Sequence, residues 1–550
     1  MRSRQLWWLA GMVIATLALL RQSDVVHETV MLPMRDGVKL ATDVYRPKGS
    51  GKHPAILIRT TYNKALHAEQ GADAVRRGYV MVVQDTRGRF ASEGENLPFE
   101  TDGWWGGRED GLDTVEWMAR QPWCGKIGTV GGSALGITQL LLAGTGTKKV
   151  AAQVIHVGAP RAYGDMVFSG GVFRKAMIED WLRIAAFSPT ALAHWTRTDI
   201  DGPFWQERDL SRRYSQVHTA AVHVGGWYDI FAQGTIDAFQ GFQLRGGQGA
   251  RGKQRLIMGP WTHGIFQDKA GELKFRNGKT PPVRSADVWA WLGSQLRGED
   301  TGVDRDPAVT YYTMGDARDA AAPGNEWRTA TTWPPPGGKN TPYYLGATGA
   351  LSPVKPSQPG QTTFVYDPRN PAPTTGGPQL TLPSGARNQA AVEARKDVLV
   401  FSTPPLDQPV EVTGRVRLKL WASSDGPDTD FVGKLCDVYP DGASYNVCEG
   451  ILRGRFRQGP ARSILMEPGK PYLFDIDLWS TSIVFAKGHR IRVQVTSSNA
   501  PGWDPNPNTG EPFRSSSNVR TARNTIYWGA RYPSQIVLPV MRGKRVDRAR

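Results

Sequence analysis

Short apolar runs alternate with helix-like segments through the first third of the chain. In order along the chain, the predicted strands and helices lie at 55–58, 68–77, 79–83, 111–120, 126–130, 137–142 and 150–157. The strand runs are rich in consecutive Val, Ile, Leu and Met, which is typical of a parallel sheet covered by helices on both faces. Two further short strands are expected between 27 and 47, around the turn Arg35-Asp36-Gly37. This region is therefore predicted to be an α/β domain.

The pattern changes twice further along the chain. Between 160 and about 217, aromatic and charged residues occur at helical spacing without a clean strand. Strands resume at 220–224 and 255–258, and a helix is predicted at 286–296. From about 340 onward, alternating strands such as 411–421 and frequent Pro, Gly and Thr indicate an antiparallel β-sandwich.

These changes predict the domain boundaries, because a chain of 550 residues is too long for a single core. The α/β core is expected at 25–159 and 218–333, with a helical cap inserted at 160–217. The β-sandwich is expected at 340–550.

Composition narrows the classes of function. A hydrophobic content of 40% with 19 Trp indicates a globular protein, and the net charge of +16 comes from scattered Lys and Arg with one cluster at 542–550. No nucleic-acid-binding motif accompanies these charges, so no nucleic-acid partner is predicted. The sequence contains neither His-Glu-x-x-His nor paired Cys-x-x-Cys motifs, and Gly144–Lys148 lacks the P-loop spacing. We therefore expect no metal and no cofactor.

The first 24 residues predict export. Arg2 and Arg4 precede an uncharged apolar run at 6–20, which is the pattern of a secretory signal. The run is somewhat short for a membrane span, yet its cleavage site is poor, so an uncleaved anchor is the alternative. The expected location is periplasmic or secreted, with membrane attachment through this segment left open.

Three cysteines do not make a disulfide scaffold. Cys436 and Cys448 flank the turn Pro440-Asp441-Gly442, and in a hairpin folded about that turn they could face each other. In an exported protein such a pair could oxidise. Two free buried thiols are the alternative.

Ser133 is the first residue with recognisable chemistry. The predicted strand at 126–130 runs into Gly131-Gly132-Ser133-Ala134-Leu135-Gly136, and a helix follows at once. A serine on a tight turn between strand and helix has the geometry of the nucleophile elbow of α/β-hydrolases. Glycine permits such a turn and a close approach of the helix. The spacing differs by one residue from the commoner G-x-S-x-G.

A serine nucleophile needs a base and an acid, which follow it in this fold in the order acid, then histidine. Asp229 follows the strand at 220–224, and His263 follows the next strand at 255–258. The other eight histidines precede the serine, lie inside predicted strands, or belong to the cap or the β-sandwich: His27, His53, His67, His156, His194, His218, His223 and His489. Ser133, Asp229 and His263 are therefore the predicted catalytic triad.

Several further segments of the sequence carry recognisable motifs together with the triad: Arg59–Lys64, Gln84–Gly94, the elbow at 131–136, Gly226–Asp229, Gly259–His263, Ser423–Phe431, Gly488–Arg490, Ser497–Asn499 and Asn506–Gly510. As a set, these segments resemble the cocaine-esterase and X-prolyl dipeptidyl-peptidase family of serine hydrolases. The likeness spans roughly 27–540, and it implies that the β-sandwich is a jelly roll. It implies the same triad and an oxyanion hole made by the Tyr62 hydroxyl and the Ala134 backbone N–H. Tyr62 also stands just past a strand end, where a donor could meet an oxyanion.

Two departures from the family pattern bear on the substrate. Many relatives carry Tyr after the serine, where this chain has Ala134, so we expect a changed acyl or leaving-group preference. Family members that hydrolyse α-amino-acid esters have a similar acidic cluster, which recognises the substrate ammonium. Part of this cluster lies two and three residues after the catalytic acid. Phe231 and Ala232 stand there, and Asp165 alone is left as an acidic partner for an ammonium.

These departures favour an esterase of apolar or aromatic acyl groups. Phe231, Trp181 and Phe187, with Trp195 beside them in the cap, are the candidate pocket residues. An X-Pro dipeptidyl peptidase or an acylase or amidase is the enzymatic alternative. A non-catalytic surface-binding protein that uses its β-sandwich is the second alternative. The expected partner is a small-molecule ester or amide, and the oligomeric state is left open.

Overall fold

The fold is described from a computed structural model, which covers residues 25–542. The predicted signal or anchor at 1–24 and most of the basic cluster at the other end lie outside the described residues. Within 25–542, no helix combines the length and the hydropathy that a membrane crossing requires.

The α/β core is built on one ten-stranded mixed sheet. Its strands are β1 (Val25–Pro33), β2 (Lys39–Pro47), β3 (His53–Thr60), β4 (Val80–Asp85), β5 (Cys124–Gly132), β6 (Val150–His156), β9 (Ala220–Gly226), β10 (Arg255–Gly259), β13 (Val309–Thr313) and β14 (Glu326–Ala330). They lie in the order β1-β2-β4-β3-β5-β6-β9-β10-β13-β14. The strands from β4 to β13 run parallel, while β1, β2 and β14 are antiparallel additions at the two edges. The carboxyl ends of β5, β9 and β10 consequently share one edge.

Helices follow the strands as the pattern predicts. The helices of the core are α1 (Ala68–Arg76), α2 (Asp110–Arg120), α3 (Ala134–Gly144), α7 (Ala232–Arg245) and α8 (Val288–Leu292). All residues of α3 are buried, because this helix is enclosed between the sheet and the elements that cover it. The helix predicted at 286–296 is shorter than expected: α8 ends at Leu292 and a π-helical turn continues over Gly293–Arg297.

The segment at 160–217 covers the carboxyl edge of the sheet. It contains a π-helical turn (Ala162–Val167), two short paired strands, β7 (Phe168–Ser169) and β8 (Val172–Phe173), and three helices, α4 (Lys175–Ile184), α5 (Thr190–Thr196) and α6 (Pro203–Gln206). Residues 176, 177, 178 and 182 of α4 are buried and spread over more than half of the helix circumference. This helix is therefore covered on more than one side.

The remaining strands form a two-sheet β-sandwich. The first sheet contains β15 (Gly338–Leu345), β16 (Leu351–Ser352), β17 (Gly360–Tyr366), β19 (Val410–Ser424), β22 (Tyr472–Phe485), β24 (Ala522–Trp528) and β25 (Gln535–Met541). The second sheet contains β18 (Leu399–Ser402), β20 (Asp430–Val438), β21 (Ser444–Arg453) and β23 (Arg490–Thr496). A hairpin, β11 (Lys269–Ala270) and β12 (Leu273–Lys274), and the short helix α9 (Ala390–Glu393) complete the fold. The predicted fold class, an α/β-hydrolase core with a cap and a C-terminal β-sandwich, is confirmed.

The sandwich shares a core with the α/β domain. Buried apolar residues of both belong to one continuous cluster. Hydrogen bonds also cross between them, from the Ser480 hydroxyl to Gln233 Oε1 (2.8 Å) and from Tyr228 Oη to the Asn446 carbonyl (3.2 Å). Because Tyr228 directly precedes Asp229, the sandwich helps to fix the loop that carries this carboxylate.

The two sandwich cysteines lie on the predicted hairpin but are not cross-strand neighbours. β20 and β21 pair around the turn, and the register shifts by one residue next to Cys436. As a result Cys436 is opposite Asn446, and Cys448 is opposite Leu435. All three cysteines of the chain are free and buried.

Candidate active site

Ser133 occupies a strained turn between β5 and α3. Its φ of 57° and ψ of −123° place it in a region that non-glycine residues rarely adopt. The backbone N–H of Ser133 donates to the His156 carbonyl (3.0 Å), and the Ser133 carbonyl accepts from the N–H of Gly136 and Ile137, both at 2.9 Å. These bonds maintain a conformation that would otherwise cost on the order of 1–3 kcal/mol.

Two glycines make this turn possible. A Cβ atom added at Gly131 would lie 2.5 Å from Leu135 Cβ, and one added at Gly136 would lie 2.8 Å from the His156 carbonyl oxygen. Both contacts are shorter than real Cβ atoms allow. The glycines of the hexapeptide are therefore required by close packing between the turn, α3 and β6.

Asp229 and His263 are placed by the loops that follow β9 and β10. These loops are bonded to each other: the Trp227 N–H donates to the Gly259 carbonyl and the Tyr228 N–H to the Trp261 carbonyl, both at 2.9 Å. A Cβ at Gly226 would lie 2.3 Å from the Trp261 carbonyl oxygen, so only glycine permits this approach.

The structure brings Ser133, His263 and Asp229 into one hydrogen-bonded chain. His263 Nε2 lies 2.8 Å from Ser133 Oγ, and His263 Nδ1 lies 2.6 Å from Asp229 Oδ1. The second carboxylate oxygen of Asp229 accepts from the Phe231 backbone N–H (3.1 Å), and Asp229 is fully buried. An Asp in this position fixes the imidazole with its proton on Nδ1, which leaves Nε2 free to accept the serine proton.

Tyr62 and Ala134, the residues predicted to form the oxyanion hole, follow β3 and the Ser133 turn. Ala134 is the first residue of α3, where helical N–H groups have no intrahelical acceptor. Tyr62 is two residues beyond the end of β3, and its backbone N–H donates to Thr60 Oγ1 (3.0 Å). The Tyr62 hydroxyl accepts a hydrogen bond from Trp181 Nε1 of the cap (2.8 Å).

An aromatic cluster in and beneath the cap borders the site. The Trp181 ring stacks on Phe99 and on Trp195, each with centroids 5.8 Å apart, and it also contacts Phe187 (4.9 Å). Phe231 presents its ring to the His263 imidazole in an edge-to-face contact at 5.8 Å. Of the predicted pocket residues, Trp181 and Phe187 belong to the cap cluster, and Phe231 lies against His263.

A small, mainly apolar cavity of about 20 Å³ lies against the same cluster. Its apolar lining includes Phe99, Ile137, Leu141, Met166 and Trp195. Ile137 and Leu141 are one and two turns beyond Ser133 on α3, but no member of the triad lines the cavity. The volume is that of about one water molecule, so the cavity is not a preformed space for a substrate.

Glu100 and Asp165, two carboxylates of this region, are already paired. Glu100, which lines the cavity, contacts Arg208 Nη2 at 2.5 Å. Asp165 is bonded to the Arg161 backbone N–H (3.0 Å) and to its guanidinium at Nε (3.1 Å) and Nη2 (2.5 Å). Neither carboxylate is free to receive a substrate ammonium.

Arg174 adds a buried positive charge near Asp229. It is 4% exposed, and its Nη1 donates to the Asp165 carbonyl oxygen (2.7 Å). Among residues 25–542, no carboxylate lies within ion-pair distance of this guanidinium. Burial lowers the pKa of Arg174 to about 10, and the opposing attraction is largest from Asp229.

Three residues near the site were not predicted from the sequence. Phe99 lies in an irregular loop with a positive φ, Met166 lies in a π-helical turn, and Arg174 directly precedes α4. Arg174 lies seven residues before Trp181 in the sequence, but it is outside α4, so helical spacing does not relate the two.

The fold and this site define a serine hydrolase with an α/β-hydrolase core and a C-terminal β-sandwich. The family model described as X-Pro dipeptidyl-peptidase (S15 family) matches residues 36–193 and 184–265. The model of the X-Pro dipeptidyl-peptidase C-terminal non-catalytic domain matches 301–537. The chain belongs to this family of serine hydrolases, which includes cocaine esterase.

Individual relatives are similar to this protein over nearly the whole length of the chain. Cocaine esterase of Rhodococcus sp. (strain MB1 Bresler) is 35% identical, over 94% of this chain and 99% of that protein. Among solved structures, an α-amino acid ester hydrolase is similar with a TM-score of 0.79 and 27% identity, over 94% of this chain and 97% of that one. An aminopeptidase from a marine sediment Thaumarchaeota archaeon matches with the same TM-score, 26% identity and the same coverage.

Proposed function

We propose that the protein is a carboxylesterase that forms an acyl-enzyme on Ser133 and prefers esters with uncharged apolar or aromatic acyl groups. The observation that carries this proposal is the chain of hydrogen bonds from Ser133 Oγ through His263 to Asp229. The comparisons support a serine hydrolase, and the charges around the site support the choice of acyl group.

The proposed reaction has two acyl transfers. His263 Nε2 takes the Ser133 proton while Oγ attacks the ester carbonyl carbon, and the carbonyl oxygen becomes an oxyanion that Tyr62 and the Ala134 N–H stabilise. His263 then gives the proton to the leaving alkoxide, so an alcohol departs and the acyl-enzyme remains. Water repeats these steps with the same base, releases the carboxylic acid and restores the serine.

The acyl preference follows from electrostatics. A substrate ammonium buried here would find Asp165 and Glu100 paired with arginines, and Arg174 would repel it. Burying a charge without a partner is costly, whereas an apolar ring is favoured by the aromatic lining. An X-Pro dipeptidyl peptidase must accept the ammonium of its substrate, so this arrangement favours the esterase.

The triad is tested by the acyl-enzyme itself. p-Nitrophenyl phenylacetate should give a burst of p-nitrophenol equal to the enzyme concentration if deacylation is slower than acylation. A p-nitrophenyl alkylphosphonate should add its phosphonyl group to Ser133, which peptide mass spectrometry would locate. Ser133→Ala should remove the burst, the adduct and turnover while circular dichroism and the melting temperature stay unchanged. Turnover retained in this variant would refute the assignment.

Assays with different substrates distinguish the esterase from the alternative functions. Gly-Pro-p-nitroanilide should be cleaved at least about a hundredfold less efficiently than p-nitrophenyl butyrate, since its ammonium has no free acidic partner. A preference for the anilide would establish a dipeptidyl peptidase instead. No turnover of any ester, anilide or amide, together with no phosphonyl adduct, would favour a non-catalytic binding protein.

We infer that the protein is exported, because the basic start and apolar run at 2–20 have the composition of a secretory signal. Expression of the full chain with an epitope tag at its C-terminus, followed by fractionation, tests this inference. Recovery in the periplasm or medium without residues 1–24 indicates cleavage, and recovery in membranes at full length indicates an anchor. Retention of the full chain in the cytosol would contradict export.

A further inference from the structure

The Tyr62 hydroxyl takes part in one hydrogen bond among residues 25–542, and it is the acceptor in that bond. Trp181 Nε1 lies 2.8 Å from Tyr62 Oη. An indole N–H can only donate, whereas a phenol can donate and accept. The indole therefore occupies an acceptor position of the phenol and leaves the phenolic proton free for another acceptor.

This relationship matters because of where the two residues come from. Tyr62 follows β3 of the core, and Trp181 is on α4 of the cap, 119 positions later. We propose that Trp181 is a positioning residue of the oxyanion hole: its N–H orients the Tyr62 hydroxyl so that the phenolic proton is directed at the substrate oxyanion. The inference rests on the proposed function, in which Tyr62 stabilises that oxyanion.

The orientation is maintained from two sides. The Trp181 ring is fixed by its stacking on Phe99 and Trp195. Arg89 connects the same two segments: its Nε donates to the Thr61 carbonyl (2.9 Å), and its Nη1 donates to the Ala186 carbonyl (2.8 Å), just past α4. Core loop and cap are thus bonded together directly beside Tyr62.

The hydrogen bond from Trp181 is expected to help catalysis in two ways. A freely rotating hydroxyl loses entropy when it binds the oxyanion, whereas a hydroxyl that is already oriented does not. A phenol that accepts a hydrogen bond is also polarised into a better donor. Both effects act on the transition state, because the substrate carbonyl carries less charge than the oxyanion. Loss of the indole N–H should therefore lower kcat and leave KM nearly unchanged.

Trp181→Phe removes the N–H and keeps an aromatic ring in the stack. We expect kcat for p-nitrophenyl esters to fall about tenfold, the effect of one ordinary hydrogen bond. Tyr62→Phe should reduce kcat by about a hundred- to a thousandfold. Trp205→Phe is the matched control, since Trp205 is a buried cap tryptophan whose Nε1 donates to the Thr198 carbonyl (3.1 Å) and not to Tyr62. It should leave kcat within about threefold, because the indole N–H that it removes is not bonded to a residue of the site.

The double variant separates positioning from packing. If Trp181 acts through the Tyr62 hydroxyl, Trp181→Phe should have no further effect on kcat in the Tyr62→Phe background. The same factor in both backgrounds, or an equal loss in Trp205→Phe, would overturn the inference. An unchanged kcat in Tyr62→Phe would instead refute the role of Tyr62 in the proposed function, while the Ser133 adduct would still report on the triad.

A second measurement keeps the test valid if Trp181→Phe folds poorly. Replacement of Trp181 by β-(3-benzothienyl)alanine keeps the bicyclic shape and exchanges the N–H for sulfur. A trifluoromethyl ketone, which forms a tetrahedral oxyanion with the serine, should bind this variant about tenfold more weakly. Binding of the carboxylic acid product should change little. Equal weakening of both ligands, or of neither, would overturn the inference.

Discussion

The carboxylate of Asp165 is enclosed by Arg161, four residues earlier in the chain. The arginine contributes its own backbone N–H (3.0 Å) and its guanidinium, and Arg161 also contacts Asp237 at 2.8 Å. Asp165 is 3% exposed. The one carboxylate that the sequence leaves available for a substrate ammonium is therefore an internal structural ion pair.

A matched pair of substrates tests whether the site disfavours a substrate ammonium. p-Nitrophenyl phenylacetate and the corresponding phenylglycine ester differ only in an α-amino group. The ratio of their kcat/KM values should favour phenylacetate by at least about tenfold at a pH where the amine is charged, because the ammonium has no free partner. The ratio should approach unity as the pH rises and the amine loses its proton. A preference for the charged phenylglycine ester would contradict this picture of the pocket.

Asp229 and Asp437 allow a controlled test of the orienting carboxylate. Each is buried, and each is bonded to a histidine Nδ1: Asp229 to His263 at 2.6 Å, and Asp437 to His489 at 2.8 Å in the sandwich. Asp229→Asn should lower kcat by about 10⁴-fold, because the amide favours the wrong imidazole tautomer. Asp437→Asn should change the melting temperature while leaving kcat within about twofold, since a distant site acts independently. Similar losses of kcat in both variants would argue against a specific role for Asp229.

A feature of this structure could be predicted from the sequence when its cause lies in neighbouring residues of the chain. Ser133, Asp229 and His263 each stand within four residues of the end of a strand, and parallel strands bring their carboxyl ends to one edge. Strand ends are visible as apolar runs that stop, so the topology alone brings the three residues together. Tyr62 has the same property at the end of β3.

Contacts that depend on the orientation of the cap were not predictable. Nothing in the spacing of Trp181 reveals that its N–H points at Tyr62, since that requires the angle of α4 on the core. The pairing of Cys436 with Asn446 likewise depends on a one-residue bulge, which shifts the register without an evident signal in the sequence. The partner of Asp165 could have been anticipated from the four-residue spacing of Arg161, but only if that segment were known to be helical.

The turn at Ser133 predicts a strict requirement for glycine at 136. A Cβ there would lie 2.8 Å from the His156 carbonyl, which also accepts the Ser133 N–H. Gly136→Ala should displace the serine, with a fall in kcat and in the melting temperature. Gly164→Ala is the control, because a Cβ at Gly164 meets nothing within 4 Å. Retention of full activity in Gly136→Ala would show that the turn tolerates a shift of α3.

The cysteines of the sandwich are expected to remain reduced. Cys436 and Cys448 are not cross-strand partners, and burial raises the pKa of both thiols, so little reactive thiolate forms. A thiol reagent should label the native protein slowly and label three thiols per chain after unfolding without reductant, as many as the free cysteines of the structure. Labelling of one thiol only, with two more appearing after reduction, would demonstrate a disulfide.

His489 makes part of the stability of the sandwich dependent on pH. Its Nδ1 lies 2.8 Å from Asp437 and its Nε2 lies 3.3 Å from Asp316. Burial alone would lower the pKa of His489, but the hydrogen bond and charge of Asp437, assisted by Asp316, outweigh burial and raise it above the usual value.

A raised folded-state pKa means that the folded protein holds this proton more tightly than the unfolded chain. The contribution of His489 to stability should therefore be complete below about pH 6.5, the unfolded value, and disappear as the pH rises through the folded pKa. The difference in melting temperature between the wild type and His489→Gln should shrink as the pH rises above about 6.5. His67→Gln, a change at a histidine that contacts the Gln70 amide and, among residues 25–542, no carboxylate, controls for the general effect of losing an imidazole. A difference that grows with pH would mean that the folded protein prefers the neutral imidazole.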